Sequence, residues 1–285
     1  MRRPPADPLP ATSYFHPAFA ARAMVCGTAA AQWWKAEADP RSALLQLHAQ
    51  GAQALYLAND GKELMALADH FPGAVWRSPL PESQVLRQLR DAAFDALPAQ
   101  VLHATLVRIA SLGVLLRGAS GTGKTALALA LIERGHALIA DDAVAVRRLG
   151  PALLVGACPA PLAGAMAVAG LGVVDVAGVY GAAAVTRRCR LDLAIDLPSL
   201  GTVATPDTPD QRLRGRWHEE RLLGERLWAV TAPPRHGGVL ATWALAACAA
   251  WSQRMAGHDA AADLDARQRE LLKTNEERTG DQCSW

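Results

Sequence analysis

A glycine-rich motif constrains this chain more strongly than any other feature of its sequence. Residues 118–125 read GASGTGKT and satisfy the pattern GxxxxGK(S/T) in full. The apolar residues 114–116 ahead of the motif predict a strand, and the Ala- and Leu-rich residues 126–131 behind it predict a helix. A strand, a glycine loop and a helix in this order are typical of a phosphate-binding loop. We therefore predict an α/β domain built around such a loop.

Each residue type in the loop has a chemical task. The glycines allow consecutive backbone N–H groups to turn toward one phosphate, and the following helix points its positive N-terminus at the same anion. The Lys124 side chain is expected to reach the β- and γ-phosphates of a nucleotide, while the Thr125 hydroxyl ligates Mg²⁺. The predicted nucleotide-binding residues are Gly118, Ser120, Gly121, Thr122, Gly123, Lys124 and Thr125.

Two adjacent carboxylates follow the next predicted strand. Gly135 is a natural residue to end the helix, and residues 136–140 predict a strand that runs into Asp141 and Asp142. Only one short helix and one strand separate Lys124 from this pair, so the carboxylates should lie near the loop. One could hold Mg²⁺ through water while the other accepts a proton from an attacking hydroxyl. A plain turn after the strand is the alternative, but adjacent carboxylates repel and favour a nearby cation.

The chain ahead of the phosphate loop has an α/β pattern of its own. Residues 54–57 and 74–76 predict short strands, Asp60 can cap a helix between them, and residues 82–97 place apolar side chains at helical spacing. Pro98 then interrupts the pattern. The predicted organisation is a smaller α/β domain with a disordered leader over residues 1–100, a phosphate-loop domain over 101–275 and a flexible tail over 276–285.

Composition argues against several classes of protein. Lys and Arg total 29 and Asp and Glu total 27, so the formal net charge of +2 does not favour a nucleic-acid-binding protein. The five cysteines are far apart and form no CxxC pair, which predicts neither disulfides nor a zinc site. The most apolar stretch, residues 152–185, is interrupted by Pro159, Pro161 and Asp175 and cannot span a lipid bilayer. We therefore predict a soluble, cytoplasmic protein without a membrane partner.

The region around the phosphate loop resembles a known family. Residues 118–148 read GASGTGKTALALALIERGHALIADDAVAVRR, and this order of loop, helix, RGH and an apolar strand into ADDAV is similar to the HPr kinase/phosphorylase family. Residues 170–185, GLGVVDVAGVYGAAAV, resemble a second signature of that family, and residues 232–238, APPRHGG, resemble a shortened form of its late arginine loop. His103 stands where the family has an active-site histidine. The resemblance covers roughly residues 51–272.

The resemblance implies a fold akin to phosphoenolpyruvate carboxykinase and a homo-oligomer, which is a hexamer in the family. It implies a serine protein kinase that transfers a phosphoryl group from ATP or pyrophosphate to the phosphocarrier protein HPr, with Mg²⁺, and that also runs the reverse phosphorolysis. Carried over by position, Asp142 is the base for the serine proton, Asp141 the carboxylate on the metal side, and His103 a neighbour of the reacting phosphate. Arg235 matches the first arginine of the late loop, and Arg212 matches a family arginine loosely.

The sequence departs from the family pattern at several charged positions. Ala167 and Ala169 stand where the family has a glutamate and an arginine, Ala119 replaces an aspartate of the loop, and Gly238 replaces a second arginine. Losing a carboxylate beside the metal should weaken Mg²⁺ placement and transition-state stabilisation. Three functions therefore stay open: a kinase of HPr or a related protein, a diverged relative that phosphorylates another protein or a small peptide, and a nucleotide-binding regulator with little turnover.

Overall fold

The structure is a computed structural model, and it describes residues 12–16, 21–36, 39–59, 65–199, 208–234 and 237–280. The chain divides into two compact units, Met1–Pro98 and Ala99–Trp285. Both units combine helices and strands, so the predicted mixed α/β class is confirmed. The first dozen residues were predicted to form a disordered leader; residues 1–11 lie outside the described residues, and Thr12 begins a strand.

The N-terminal unit contains a four-stranded sheet in the order β1-β2-β3-β4. Strands β2, β3 and β4 are parallel, and β1 is antiparallel to β2. The described elements, in chain order, are β1 (Thr12–His16), β2 (Ala21–Cys26), α1 (Thr28–Ala36), α2 (Pro40–Ala49), β3 (Ala52–Leu57), α3 (Met65–Ala68), β4 (Ala74–Arg77) and α4 (Glu82–Ala96).

The apolar core of this unit consists of two clusters, one on each face of the sheet, and residues at the end of β3 contribute to both. Leu57 is buried in one cluster with Leu44 of α2 and Ala68 of α3. The next residue, Ala58, is buried in a second cluster with Val85 of α4. Because successive residues of an extended chain point to opposite faces, α3 and α4 pack on opposite sides of the sheet.

The C-terminal unit contains a six-stranded sheet in the order β15-β16-β14-β7-β6-β8, a four-stranded sheet in the order β13-β10-β9-β5 and the two-stranded pair β11-β12. The described strands are β5 (Gln100–Leu102), β6 (Thr105–Ile109), β7 (Leu112–Arg117), β8 (Ala137–Ala140), β9 (Val144–Gly150), β10 (Leu153–Ala157), β11 (Ala165–Val168), β12 (Gly172–Asp175), β13 (Arg188–Arg190), β14 (Leu193–Asp196), β15 (Trp217–Leu222) and β16 (Glu225–Thr231). The described helices are α5 (Lys124–Ile132), α6 (Val176–Tyr180), α7 (Pro209–Arg214), α8 (Gly237–Met255) and α9 (Ala260–Gly280), with 3₁₀ turns at Ala160–Leu162 and Ala182–Ala184.

Apolar cores lie on both faces of the six-stranded sheet. On one face Leu116 of β7 is buried with Leu127 of α5 and Leu240 of α8. On the other face Leu115 is buried with Val146 of β9. The unit is therefore built in three layers, with helices, the six-stranded sheet and the four-stranded sheet stacked in that order.

Strand direction brings the predicted site residues to one edge of the six-stranded sheet. Strand β7 is parallel to β14, and β14 is parallel to β16. Strand β6 is antiparallel to both β7 and β8, so β8 runs in the same direction as β7. The phosphate loop follows β7 and the aspartate pair follows β8. Both therefore lie at the edge where β6 begins with Thr105.

The C-terminal helix is longer than the sequence pattern suggested. Helix α9 continues to Gly280 and so includes residues 276–280, for which we predicted a flexible tail. The physical reason is composition, because the stretch after Ala266 is dominated by Arg, Gln, Glu, Leu and Lys, which all favour helix. Within the described residues, no helix combines the length and the apolar character that crossing a membrane requires.

Candidate active site

The phosphate loop depends on glycine at the positions where its backbone turns. Gly118, Gly121 and Gly123 have φ values of +145°, +80° and +94°, a region that side chains with a Cβ atom rarely adopt. A Cβ atom on Gly118 would lie 2.6 Å from the carbonyl oxygen of Leu197 and 2.8 Å from the Thr122 hydroxyl. Glycine at position 118 is thus required both by the backbone angle and by the segment that follows β14.

The loop is held in place by hydrogen bonds within itself. The buried Thr122 hydroxyl donates to the carbonyl oxygen of Ala119 at 2.9 Å. The Lys124 ammonium donates to the carbonyl oxygens of Gly118 at 2.8 Å and Ala119 at 3.0 Å. Its side chain is buried although it begins helix α5. The loop therefore places one cation and the N-terminus of α5 at the same point.

Asp141, at the end of β8, is a buried carboxylate held by two hydroxyl groups. Thr105 donates to its Oδ1 atom at 2.6 Å, and Thr125 donates to its Oδ2 atom at 3.1 Å. Asp141 is 6 % exposed and Thr105 is 0 % exposed. No local motif marks Thr105 in the sequence, because its contact with Asp141 depends on strand pairing between β6 and β8.

The backbone at Asp142 turns the second carboxylate in another direction. Asp142 has a φ of +67°, in the left-handed region that Asp tolerates better than most residues. Its side chain is 75 % exposed, and its Oδ1 atom lies 2.9 Å from the Nδ1 atom of His103. The turn therefore separates two neighbouring carboxylates, one buried beside Thr125 and one open to an incoming molecule.

His103 connects Asp142 to the phosphate loop. Its Nε2 atom lies 3.3 Å from the Nζ atom of Lys124. Since an ammonium group only donates hydrogen bonds, the network assigns Nε2 as the acceptor and places the ring proton on Nδ1, facing Asp142. In this arrangement His103 donates to the Asp142 carboxylate and accepts from the Lys124 ammonium.

A second charged cluster lies on the other flank of the loop. Arg117, the last residue of β7, donates from Nε to the Oδ1 atom of Asp196 at 2.8 Å and also pairs with Glu220. The Nε2 atom of His218 lies 3.4 Å from the Oδ2 atom of Asp196. This cluster joins the carboxyl ends of β7 and β14 where the phosphate loop begins. Arg117 and Asp196 were not among the predicted site residues, since nothing local in the sequence marks them as partners.

Burial shifts the pKa of a thiol and of a histidine near the site. The pKa of the Cys158 thiol is raised, first by burial and second by the negative charge of Asp141. The pKa of His136, which follows α5, is lowered by burial and by the positive charge of Arg134. At neutral pH both effects favour the uncharged side chain, so neither residue adds a charge to the site.

Thr125 and Asp141 fit the requirements of an Mg²⁺ site. Both present oxygen atoms, which Mg²⁺ prefers, and they lie within 3.2 Å of each other at the N-terminus of α5. Asp141 accepts hydrogen bonds from neutral hydroxyls, and a buried carboxylate is stabilised by a cation. Phosphate oxygens and water would complete the coordination of such a site, as is usual for Mg²⁺ in proteins.

The structure brings most of the predicted site residues together. The loop residues, Asp141, Asp142 and His103 all lie at the same edge of the sheet, linked by the contacts above. Arg235 lies outside the described residues. Arg212 lies in α7, and Ala167 is an exposed residue of β11. The roles expected for Arg235 and Arg212 remain predictions.

Comparison with known proteins identifies relatives along most of the chain. The family model described as the HPr Serine kinase C-terminal domain matches residues 96–268. The HPr kinase/phosphorylase of Limosilactobacillus reuteri (strain DSM 20016) is 34 % identical over 218 residues, which are 76 % of this chain and 67 % of that protein. The HPr kinase/phosphorylase of Stenotrophomonas maltophilia (strain K279a) is 35 % identical over 213 residues, covering 74 % and 67 %.

A solved structure of the Hpr(Ser) kinase/phosphatase from Coxiella burnetii is also similar. It shares 29 % sequence identity with this chain at a TM-score of 0.49. The similarity covers 55 % of this chain and 98 % of that one.

Proposed function

The chain belongs to the HPr kinase/phosphorylase family, as its sequence predicted, and from this premise we propose that it is an ATP- and Mg²⁺-dependent serine kinase of HPr or a related protein. The observation that carries the proposal is the arrangement of Lys124 and Asp142 around one histidine. It joins a phosphate-binding cation to an exposed proton acceptor, which are the two protein groups that phosphoryl transfer to a hydroxyl requires.

Nucleotide binding is supported by the loop itself. Glycines at positive φ let the loop backbone point N–H groups inward, and the N-terminus of α5 adds a positive dipole. The Lys124 ammonium already lies over the loop. Its present hydrogen-bond acceptors are the carbonyl oxygens of Gly118 and Ala119, which carry no formal charge. A triphosphate would replace those neutral partners by charged oxygens, which make stronger hydrogen bonds.

Thr125 and Asp141 are the residues proposed to hold Mg²⁺. A bound Mg²⁺ would neutralise charge on the β- and γ-phosphates. The chain's own contribution is to hold the Asp141 carboxylate rigidly, since Thr105 donates to one oxygen from a fully buried position. Thr125 places its hydroxyl at the first turn of α5, beside the phosphate loop.

Asp142 is proposed to accept the proton of the acceptor serine. Its exposed carboxylate can be reached by a protein or peptide segment, and His103 donates to Oδ1, which leaves Oδ2 to take the proton. His103 orients the carboxylate from one side while its other nitrogen accepts from Lys124. Loss of the serine proton and development of charge on the phosphate would thus occur beside one connected set of side chains.

Family membership also supports the finer parts of the proposal. We include a fold akin to phosphoenolpyruvate carboxykinase for the C-terminal unit, a homo-oligomeric assembly and a cytoplasmic location. We also propose that Arg235 takes part in catalysis as the first arginine of the late loop.

A second candidate function is a diverged relative that phosphorylates another protein or a small peptide. One observation favours it: Ala167 is exposed on β11, whose neighbour Met166 is buried in the same core as Leu127 of α5. The family's glutamate position is therefore on an element packed against the phosphate-loop helix, yet it carries no charge here. A site without that negative charge would select its phosphoryl acceptor differently.

The test is transfer of labelled phosphate from [γ-³²P]ATP with Mg²⁺ to purified HPr, with HPr lacking its acceptor serine as the control. Serine-dependent labelling supports the first function. Labelling only of peptides or proteins encoded beside the gene supports the second. Nucleotide binding without transfer to any of these would overturn both kinase proposals and favour a nucleotide-binding regulator.

A further inference from the structure

The N-terminal unit has a crevice at the carboxyl ends of two adjacent parallel strands. Strands β3 and β4 pair in parallel, with Leu57 opposite Arg77 at their ends. After β3 the chain leads to α3, which packs on the face that buries Leu57. After β4 it leads to α4, which packs on the opposite face with Ala58. Where the connections after neighbouring parallel strands leave toward opposite faces, the sheet opens a crevice, and such points are the usual ligand sites of α/β sheets.

The crevice has the size and the lining of a small-molecule site. Its volume is about 340 Å³, within the range of ligand pockets in proteins, roughly 300–1,000 Å³. Leu57 at the end of β3 and Ala58 directly after it form the base of the crevice, Met65 lines it from α3, and Pro79 lines it from the segment after β4. The Met65 and Pro79 side chains are exposed and offer an apolar surface to the body of a ligand, whereas those of Leu57 and Ala58 are buried in the core.

The rim of the crevice is held rigid by backbone hydrogen bonds. The Ser78 N–H donates to the carbonyl oxygen of Leu57 at 2.9 Å, which ties the ends of β3 and β4 together. The Asn59 N–H donates to the carbonyl oxygen of Leu80 at 2.9 Å. Because these amides already donate within the protein, recognition of a ligand falls to side chains.

Three polar residues line the crevice beside its apolar part, and one of them is a cation. Arg77, Asn59 and Ser78 all line the crevice. The Ser78 hydroxyl accepts from the Leu80 N–H at 3.2 Å, so its own proton can be donated. The nearest atoms of Arg77 and Asp69 are 3.9 Å apart with both side chains more than half exposed, which is a weak surface pair. The guanidinium can therefore turn its donors toward an anion in the crevice.

We infer that this crevice binds a small organic anion, with an apolar body against Met65 and Pro79 and a carboxylate or phosphate group on Arg77. Arginine matches such groups because its planar fork donates two parallel hydrogen bonds. Asn59 and Ser78 add one donor or acceptor each at the polar end. This inference does not depend on the function proposed for the C-terminal unit.

The methionine content of the chain makes a direct test possible. The sequence contains five methionines, and Met65 lines the crevice. We would label the full chain with [methyl-¹³C]methionine, assign the Met65 signal from Met65→Leu, and titrate with 4-phenylbutyrate or its neutral analogue 4-phenylbutanamide. The expected result is a saturable shift of the Met65 methyl with the anion and roughly tenfold weaker binding of the amide, since a charge-assisted contact is lost.

Two substitutions separate the proposed site from general binding. Arg77→Gln should weaken 4-phenylbutyrate roughly tenfold, whereas Arg87→Gln, at an exposed position of α4, should leave its affinity unchanged. The buried Met24 methyl reports whether the N-terminal unit is still folded, and Arg77→Lys tests whether charge alone restores binding. The inference is overturned if the Met65 signal does not move at millimolar anion, if the amide binds equally well, or if a folded Arg77→Gln chain binds like the parent.

Discussion

The Nε2 atom of His103 lies 3.3 Å from the Nζ atom of Lys124, although one residue precedes β6 and the other begins α5. The contact makes the histidine an acceptor on that side and a donor to Asp142 on the other. The phosphate loop and the proposed base are therefore parts of one hydrogen-bonded unit. A substitution at any of its three members should be measured in both nucleotide binding and phosphoryl transfer.

Asp142→Asn should abolish most transfer and spare nucleotide binding. The amide keeps the shape of the side chain but cannot take the serine proton, so we expect kcat to fall by about 10²–10⁴-fold. The Kd for ATP should stay close to that of the parent chain, because the side chain is 75 % exposed and pairs with His103 rather than with the loop. Radiolabel transfer and calorimetry measure the two quantities. Asp263→Asn, at an exposed position of α9, is the matched control, and normal turnover in Asp142→Asn would show that another group is the base.

Lys124→Ala should damage binding and transfer together. The buried ammonium holds the carbonyl oxygens of Gly118 and Ala119, so its removal takes away a phosphate contact and loosens the loop. We expect the Kd for ATP to rise by at least roughly tenfold. Calorimetric titration checks this, with Lys35→Ala in α1 as a control that makes the same change outside the loop. An unchanged Kd would contradict the assignment of residues 118–125 as the phosphate loop.

Thr105→Val should destabilise the C-terminal unit although it conserves volume. The hydroxyl is fully buried and donates to Asp141 at 2.6 Å, so its loss leaves a buried carboxylate short of one donor. We expect the free energy of unfolding to fall by about 1–3 kcal/mol. Urea denaturation measures the change, and Thr105→Ser, which retains the hydroxyl, should recover most of it. Equal stability of the Val and Ser variants would mean that the hydrogen bond contributes little.

Arg117 and Asp196 should show coupled effects on stability. Arg117→Gln leaves the carboxylates of Asp196 and Glu220 without their shared cation, whereas adding Asp196→Asn removes one of the two charges. The double variant should therefore be more stable than the sum of the single changes predicts, by about 1 kcal/mol for these partly exposed groups. A double-mutant cycle in urea measures this energy, and additive changes would show that the three side chains do not act together.

Ionisation of the buried Cys248 thiol in α8 should contribute to a loss of stability as pH rises above 9. Burial raises the pKa of Cys248 from 9.0 to about 12. The folded chain then holds this proton more tightly than the unfolded chain, so the contribution to stability is complete below pH 9 and is lost as pH rises toward 12. Unfolding in urea at pH 8, 9 and 10 measures the slope. Cys248→Ala should lower the slope between pH 9 and 10, and an unchanged slope would contradict the raised pKa.

The short distances along the chain explain why the sequence predicted that these polar residues lie together. The phosphate loop is one continuous segment, so its glycines, Lys124 and Thr125 are neighbours in any fold that forms the loop. Asp141 and Asp142 follow after one helix and one strand, and a helix that returns beside its own strand places them at the same edge. Local spacing and strand direction were therefore sufficient for this part of the site, and His103 was located only through the resemblance to a family.

Contacts between distant segments were decided by the tertiary structure alone. Thr105 and Asp141 are 36 residues apart, and Arg117 and Asp196 are 79 residues apart. Each pair exists because of the register in which strands of the six-stranded sheet align, and register is set by the burial of whole strand faces rather than by the polar residues at their ends. The chain by itself thus determined which groups come together around the loop. Packing determined which side chains hold those groups in position, because the energy that selects a register is spread over the entire core.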